Sequence, residues 1–139
     1  MSRFFWVRHG PTHARSMVGW SDLPADLSDT GRIARVSAHL PRDALVISSD
    51  LVRARTTADA IAGPRTRLRD DRDLREIHFG AWELQAFDTI PDQTDLRAFW
   101  EQPGDTRPPG GESWHEVAAR VTRAVDRLCH AHPGRDIVA

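Results

Sequence analysis

Residues 4–12 read Phe4-Phe5-Trp6-Val7-Arg8-His9-Gly10-Pro11-Thr12. Three aromatic residues and one β-branched residue in a row are typical of a buried strand. Gly10 and Pro11 then predict that the strand ends and a loop begins. Arg8 and His9 therefore follow the carboxyl end of a buried strand, which is where ligands bind in open α/β sheets.

The residue types in this loop favour phosphate chemistry. The guanidinium of Arg8 offers a planar fork of donors that matches two phosphate oxygens. A neutral His9 can attack phosphorus and carry the phosphoryl group covalently. Gly10 allows close approach of the backbone to a ligand, and Thr12 adds a hydroxyl. The alternative is that Arg8 and His9 are ordinary polar loop residues, and this stretch alone does not decide between the two.

Composition narrows the class of protein. A length of 139 residues fits a single domain, 1–139. The net charge of −1 and the lack of a long apolar run favour neither nucleic acid nor a membrane as partner. The single Cys129 excludes an internal disulfide and suits a cytoplasmic location. All 19 basic residues are arginine, so an arginine indicates phosphate binding only where its position supports it.

The order of predicted elements indicates a mostly parallel sheet. Apolar residues at helical spacing predict a helix over 28–40, which Ser28 or Asp29 can cap. A second buried strand at 44–47 is followed by a helix over 51–61. Because strands alternate with helices, we expect an α/β fold in which a mostly parallel sheet is flanked by helices in three layers. Residues 65–73 are expected to form a short edge strand or loop.

Two further residues have a structural and a functional interpretation. Arg53 falls in the first turn of the helix over 51–61, where the positive end of the helix already favours an anion; otherwise it is a solvated helix residue. Glu76 lies between Leu74 and Ile77 and is expected to be partly buried. A carboxyl group in apolar surroundings holds its proton nearer to neutral pH and can act as a general acid; otherwise Glu76 pairs with a neighbouring arginine.

The second half of the chain carries the clearest helix signals. Residues 86–101 have weak helical character broken by Pro91, and the loop over 103–111 is expected to cover a pocket. Ser113 and Glu116 match a capping box and predict a helix to about residue 132. Residues 136–139 resemble the beginning of a strand. No Cys, His or carboxylate spacing suggests a metal site.

Four motifs together resemble the histidine phosphatase superfamily, the phosphoglycerate mutase-like proteins, and they occur in the family's order over essentially the whole chain. They are Arg8-His9-Gly10 with Thr12; Ser49-Asp50-Leu51 with Arg53, Ala54 and Thr57; Leu74 and Glu76 with Phe79-Gly80 and Trp82-Glu83; and Pro109-Gly110-Gly111-Glu112-Ser113.

The resemblance implies a role for each matching residue. It implies that His9 is the phosphorylated nucleophile and that Arg8 and Arg53 clamp the phosphate, with Thr12 and Gly10 in the phosphate-binding loop. It implies that Glu76 protonates the leaving oxygen and then activates water. No metal or organic cofactor is expected.

The sequence departs from the family pattern at two places. Arg15 stands where the family often has asparagine. The family also places a second catalytic histidine at the end of the strand that follows the last long helix, and this sequence has none there. We therefore expect a phosphoglycerate mutase-like domain that is C-terminally truncated, with an uncovered sheet edge that favours a homodimer.

Within the family the motifs resemble the short phosphatase branch, including the alpha-ribazole phosphatases. The expected activity is that of a phosphomonoesterase, a histidine acid phosphatase-like hydrolase acting on a small soluble phosphate ester through a phosphohistidine. Two alternatives stay open. One is a phosphoglycerate mutase; the other is a non-catalytic phosphate-binding or regulatory protein, because the second histidine is absent. Specificity is expected from residues 19–24 and from the loops between Phe87 and Gly111.

Overall fold

Four short strands form one parallel sheet in a computed structural model that describes all 139 residues. The strands are β1 (Arg3–Phe5), β2 (Leu45–Val46), β3 (Thr66–Arg67) and β4 (Asp136–Val138). Their order in the sheet is β1-β4-β2-β3, and every neighbouring pair is parallel. The predicted parallel α/β architecture is therefore confirmed, and the strand expected at the end of the sequence lies between β1 and β2.

The chain has four α-helices: α1 (Thr30–His39), α2 (Val52–Ala62), α3 (Gln93–Glu101) and α4 (Trp114–Ala131). Of these, α1, α2 and α4 pack on the sheet. The Asp29 side chain caps α1 by accepting from the Arg32 N–H. Ser113 caps α4 within the predicted capping box. Both caps satisfy N–H groups that have no partner inside the helix. None of these helices is both long enough and apolar enough to cross a membrane.

Alternation along the strands divides the core between the two faces of the sheet. Val46 and Val138 pack with Ala58 and Ile61 of α2 on one face. Leu45 and Ile137 pack with Leu128 of α4 on the other. Successive strand residues point to opposite faces, so two apolar residues in a row bury both faces and give the expected three layers.

A third cluster lies away from the sheet, under the irregular chain between β3 and α4. It is built on Phe99 of α3 and on Ile77, both with no exposed surface, together with Met17, Phe79, Trp82, Ile90 and Leu96. Through Ile77, Phe79 and Trp82, this cluster anchors the segment over 74–83.

The first strand differs from the prediction. It spans Arg3–Phe5 rather than 4–7, and Trp6 is 59% exposed. The physical reason is its position, because β1 pairs only with β4 and lies at an edge of the sheet. An aromatic run indicates a strand, but it does not show whether that strand will lie at the edge or in the middle of the sheet.

Candidate functional site

The first loop places a histidine directly beyond the sheet. The Val7 N–H donates to the Ala139 carbonyl over 2.8 Å, and Arg8 and His9 follow. The Nδ1 atom of His9 lies 2.6 Å from the Gly10 carbonyl oxygen. Because a carbonyl oxygen can only accept, Nδ1 carries the hydrogen of this bond. In a neutral His9 the Nε2 atom therefore keeps its lone pair.

The surroundings of His9 favour that neutral form. Burial lowers the pKa of His9, and the positive charges of Arg53 and Arg8 lower it further; the Gly10 carbonyl and the Glu76 carboxylate act in the opposite direction but do not cancel the shift. The neutral imidazole is the nucleophilic form. The two arginines thus have a second effect besides their capacity to bind an anion.

Arg53 is fixed by the protein before any ligand binds. It lies in the first turn of α2 and is 2% exposed. Its Nη1 donates to the Ser21 carbonyl over 2.8 Å and its Nη2 to the Gly19 carbonyl over 2.5 Å. These bonds use two of the five N–H donors of the guanidinium.

The N-terminus of α2 is used differently from the prediction. The Val52 N–H donates to the Asp22 carboxylate over 2.7 Å, so a side chain of the protein already takes one anion position there. The contribution of α2 to the site is the cation of Arg53.

Glu83 binds N–H groups of the same loop whose carbonyls orient Arg53. Its carboxylate accepts from the N–H groups of Gly19 (3.0 Å), Trp20 (2.7 Å) and Phe79 (3.1 Å), and from the Ser21 hydroxyl (2.5 Å). Burial alone would raise the pKa of Glu83, but these hydrogen bonds together lower it. Residues 19–21 are therefore held between a carboxylate that binds their N–H groups and a guanidinium that binds their carbonyls.

Glu83→Gln is expected to lower the free energy of unfolding by about 1–3 kcal/mol near neutral pH, because an amide presents one acceptor oxygen to several donors. The pKa of Glu83 is lower in the fold than its ordinary value of 4.5. The stability it contributes is therefore present above about pH 4.5 and is lost as pH falls through the folded value.

Urea unfolding of parent and variant near neutral pH and near pH 3 measures this difference, which should narrow in acid. The control is Glu101→Gln, an exposed residue at the end of α3. If the difference in free energy of unfolding between the parent and Glu83→Gln is as large near pH 3 as near neutral pH, the stabilising role assigned to the Glu83 carboxylate is wrong.

Glu76 is exposed, which corrects the expectation that it is partly buried. The apolar residue next to it, Ile77, points into the third core cluster, and the Glu76 carboxylate accepts from the Ile77 N–H over 2.9 Å. Its backbone is fixed from two sides, because its carbonyl accepts from Trp20 Nε1 (2.9 Å) and Arg120 Nη2 (3.2 Å).

Arg120 is a residue that sequence reasoning missed. It projects from α4, is 7% exposed, and forms two 2.9 Å hydrogen bonds to the two carboxylate oxygens of Glu112. It also donates to the carbonyls of Asp73 and Arg75, each over 2.8 Å. Arg120 therefore ties α4 to the segment that carries Glu76. A signal existed, since Arg120 is spaced with the apolar face that includes Ala124 and Leu128.

Two adjoining cavities meet at the predicted residues. One is about 400 Å³ and the other about 300 Å³, and Arg8, His9, Arg53 and Glu76 line both. Thr12 lines the smaller one only. These five residues come together from separate parts of the chain.

Gly10 lies outside both cavities. Its N–H donates to the Thr57 hydroxyl over 3.0 Å, and a side chain there would lie 2.8 Å from Leu27. In this structure Gly10 allows close packing of the first loop, and Thr57 connects that loop to α2.

The loop over 103–111 does not cover the pocket, contrary to expectation, because none of its residues lines either cavity. It packs against the turn at Gly80, where the Ala81 N–H donates to the Pro109 carbonyl over 2.8 Å. Gly80 has a φ of +56°, and a side chain there would lie 2.2 Å from the Pro109 oxygen. Residues 19–24 likewise line neither cavity.

Several proteins are similar in sequence to this chain. It is 36% identical to the glucosyl-3-phosphoglycerate phosphatase of Mycobacterium tuberculosis, over 94% of this chain and 62% of the relative. It is 32% identical to a bifunctional protein of the same organism, over 99% of this chain and 40% of the relative. A probable phosphoglycerate mutase of Serratia proteamaculans is 31% identical, over 91% and 62%. The chain thus spans less than two thirds of these relatives.

Solved structures share the fold. The Bacillus stearothermophilus protein YhfR superposes with a TM-score of 0.89 at 29% identity, covering 99% of this chain and 72% of that one. A phosphoglycerate mutase from Thermus thermophilus gives a TM-score of 0.76 at 32% identity, covering 97% and 75%. The family model described as histidine phosphatase superfamily (branch 1) matches residues 4–139. The chain therefore belongs to the histidine phosphatase superfamily.

Proposed function

We propose that this chain is a phosphomonoesterase that works through a phosphohistidine at His9. The observation that carries the proposal is the meeting of His9, Arg8, Arg53 and Glu76 at two adjoining cavities. The name of the glucosyl-3-phosphoglycerate phosphatase among its relatives supports hydrolysis.

The reaction has two steps. In the first, Nε2 of His9 attacks phosphorus, the ester P–O bond breaks, and Glu76 gives its proton to the leaving alcohol oxygen. In the second, the Glu76 carboxylate takes a proton from water, the water oxygen attacks phosphorus, and the P–N bond breaks to release inorganic phosphate and neutral His9. Glu76 is protonated again at the end, so the cycle closes without a metal or an organic cofactor.

The arginines supply most of the electrostatic assistance. Arg8 and Arg53 bind the non-bridging phosphate oxygens, and Arg53 is already oriented by the carbonyls of Gly19 and Ser21. Preorganised donors of this kind are typically worth about a hundred- to a thousandfold in rate each. We place the reaction in the cytoplasm, in keeping with the single cysteine.

The direct test combines turnover with capture of the intermediate. The chain should release inorganic phosphate from p-nitrophenyl phosphate. Mass spectrometry of a reaction that is quenched and kept under alkaline conditions, where the P–N bond survives, should find one phosphoryl group on His9. Binding of phosphate without turnover would instead favour the non-catalytic phosphate-binding protein.

Glu76→Gln is expected to slow hydrolysis most for esters with poor leaving groups, because an alkoxide needs its proton more than a phenoxide does. An effect on the order of a hundredfold is expected for an alkyl phosphate, and a smaller one for p-nitrophenyl phosphate. Glu101→Gln is the matched control. Equal slowing of both substrates would contradict the acid role.

A phosphoglycerate mutase is the second candidate, because relatives from Serratia and Thermus carry that name. A mutase of this kind needs a bisphosphorylated primer. Stimulation of isomerisation of phosphoglycerate by 2,3-bisphosphoglycerate, with little net release of phosphate, would favour the mutase over the phosphatase.

A further inference from the structure

Aromatic rings form part of the lining of the smaller cavity at His9. Its charged or ionisable lining residues are Arg8, His9, Arg53 and Glu76, all assigned above to the phosphate and its chemistry. The same lining includes Phe87, Trp100 and Trp114, which we call the aromatic wall.

Packing between the rings gives the aromatic wall a defined shape. Trp100 makes edge-to-face contacts with Phe87 (centroids 5.8 Å apart) and with Trp114 (6.0 Å apart). Trp114 stacks on the fully buried Phe99, and its indole N–H donates to the Phe99 carbonyl over 3.3 Å. The one polar group of Trp114 is therefore satisfied internally, and its ring offers apolar surface.

Two members of the aromatic wall remain accessible. Phe87 is 56% exposed and Trp100 is 41% exposed, and these are two of the five large apolar side chains on the surface of the chain. Adjacent exposed rings that border a polar cleft are typical of a ligand-binding surface. Aromatic faces attract flat apolar surfaces, either another aromatic ring or the C–H face of a saturated ring.

We infer that the aromatic wall binds the alcohol part of the substrate, which is an uncharged ring. The inference rests on the proposed function, because it is the phosphate at His9 that aligns the ester. The aromatic wall shares the cavity with the charged residues and brings no charge of its own, so it suits a ring better than a small carboxylate such as that of a phosphoglycerate. Phe87, Trp100 and Trp114 are thus specificity-determining residues.

Binding of stable phosphonates tests whether the aromatic wall binds a ring, and it does so without requiring turnover. Calorimetry on the parent should show that phenylphosphonate binds about tenfold more tightly than methylphosphonate, the gain expected from one stacked ring. Trp100→Ala should reduce that preference to about threefold or less while leaving the affinity for methylphosphonate unchanged. Phe87→Ala should act in the same direction, and because Phe87 is the more exposed ring its removal disturbs the core less.

The matched control is Trp6→Ala. Trp6 is likewise an exposed tryptophan but lines the larger cavity only, so its removal should keep the preference for phenylphosphonate. Cyclohexylphosphonate distinguishes the two kinds of ring: binding tighter than that of phenylphosphonate indicates a saturated, sugar-like ring, and weaker binding indicates an aromatic one.

The outcomes separate this inference from the proposed function. Methylphosphonate binding with no gain from the ring, or a preference lost in Trp6→Ala and kept in both Trp100→Ala and Phe87→Ala, overturns the inference alone. If neither phosphonate binds and no phosphohistidine forms, the inference and the proposed function both fail.

Discussion

His9→Ala is expected to reduce phosphatase turnover by about a thousandfold or more while the fold is retained. The nucleophile forms the intermediate covalently, so no neighbouring group replaces it. His9 is partly exposed and belongs to no core cluster, and its recorded hydrogen bond is to the adjacent Gly10. Stability should therefore change little, and the loss should lie in kcat.

The measurement is steady-state release of p-nitrophenol together with urea unfolding of the same samples. His13→Ala is the matched control, since His13 lies in the same loop but is exposed and pairs with Asp26 at 2.8 Å; its turnover should stay near that of the parent. Turnover surviving in His9→Ala would remove the nucleophile assignment.

The pH dependence follows from the same residue. Because the pKa of His9 is lowered from 6.5, the neutral nucleophile persists to a lower pH than it would in an ordinary histidine. The acidic limb of kcat/KM should therefore fall below pH 6.5. An acidic limb above that value would show that burial and the charges of Arg53 and Arg8 do not lower the pKa of His9 as described.

Arg120→Met is expected to lower the free energy of unfolding by about 3–5 kcal/mol. The substitution keeps most of the side-chain volume but leaves the Glu112 carboxylate, whose side chain is 17% exposed, without its counter-ion. It also removes the side-chain donor of the Asp73 and Arg75 carbonyls and one of the two donors of the Glu76 carbonyl, which keeps Trp20 Nε1. Urea unfolding followed by circular dichroism measures the difference.

Arg127→Met provides a control on the same helix. Arg127 also forms ion pairs, to Asp71 and Asp73 at 2.9 Å, but its side chain is 52% exposed, so its removal should cost no more than about 1 kcal/mol. In a double variant that adds Glu112→Gln to Arg120→Met, the loss in free energy of unfolding should be smaller than the sum of the losses in the two single variants. The reason is that the two residues are coupled. Equal destabilisation by Arg120→Met and Arg127→Met would contradict the buried role.

The parts of the fold that sequence reasoning predicted are those governed by local rules. The capping box at Ser113 is set by residues three apart, and the apolar run at 44–47 forms the buried middle of the sheet. The four motifs placed His9, Arg8, Arg53 and Glu76 in one site, and the structure does bring them to the same cavities. Their catalytic roles stay predictions.

What the sequence could not show depends on contacts between distant residues. Glu83 binds the loop at Gly19 across more than 60 residues of chain, and no local pattern marks that partner. Likewise, the apolar neighbours of Glu76 predict partial burial, but Glu76 is exposed although Ile77 enters one core cluster and Leu74 packs against another. Burial of a single residue in a loop is decided by which elements pack there, not by the residues beside it.

The position of β4 has a consequence for how the chain acquires its structure during synthesis. β1 and β2 do not pair with each other; both pair with β4, whose Asp136 is bound by Arg3 across 133 residues. Until residues 136–138 are available, the amino-terminal strand has no partner, and Phe4 and Phe5 stay open to the solvent. Sheets closed by such distant pairings form slowly, after most of the loop-closure entropy has been lost. His9, the proposed nucleophile, directly follows β1, so its position is set only once β4 has paired with β1.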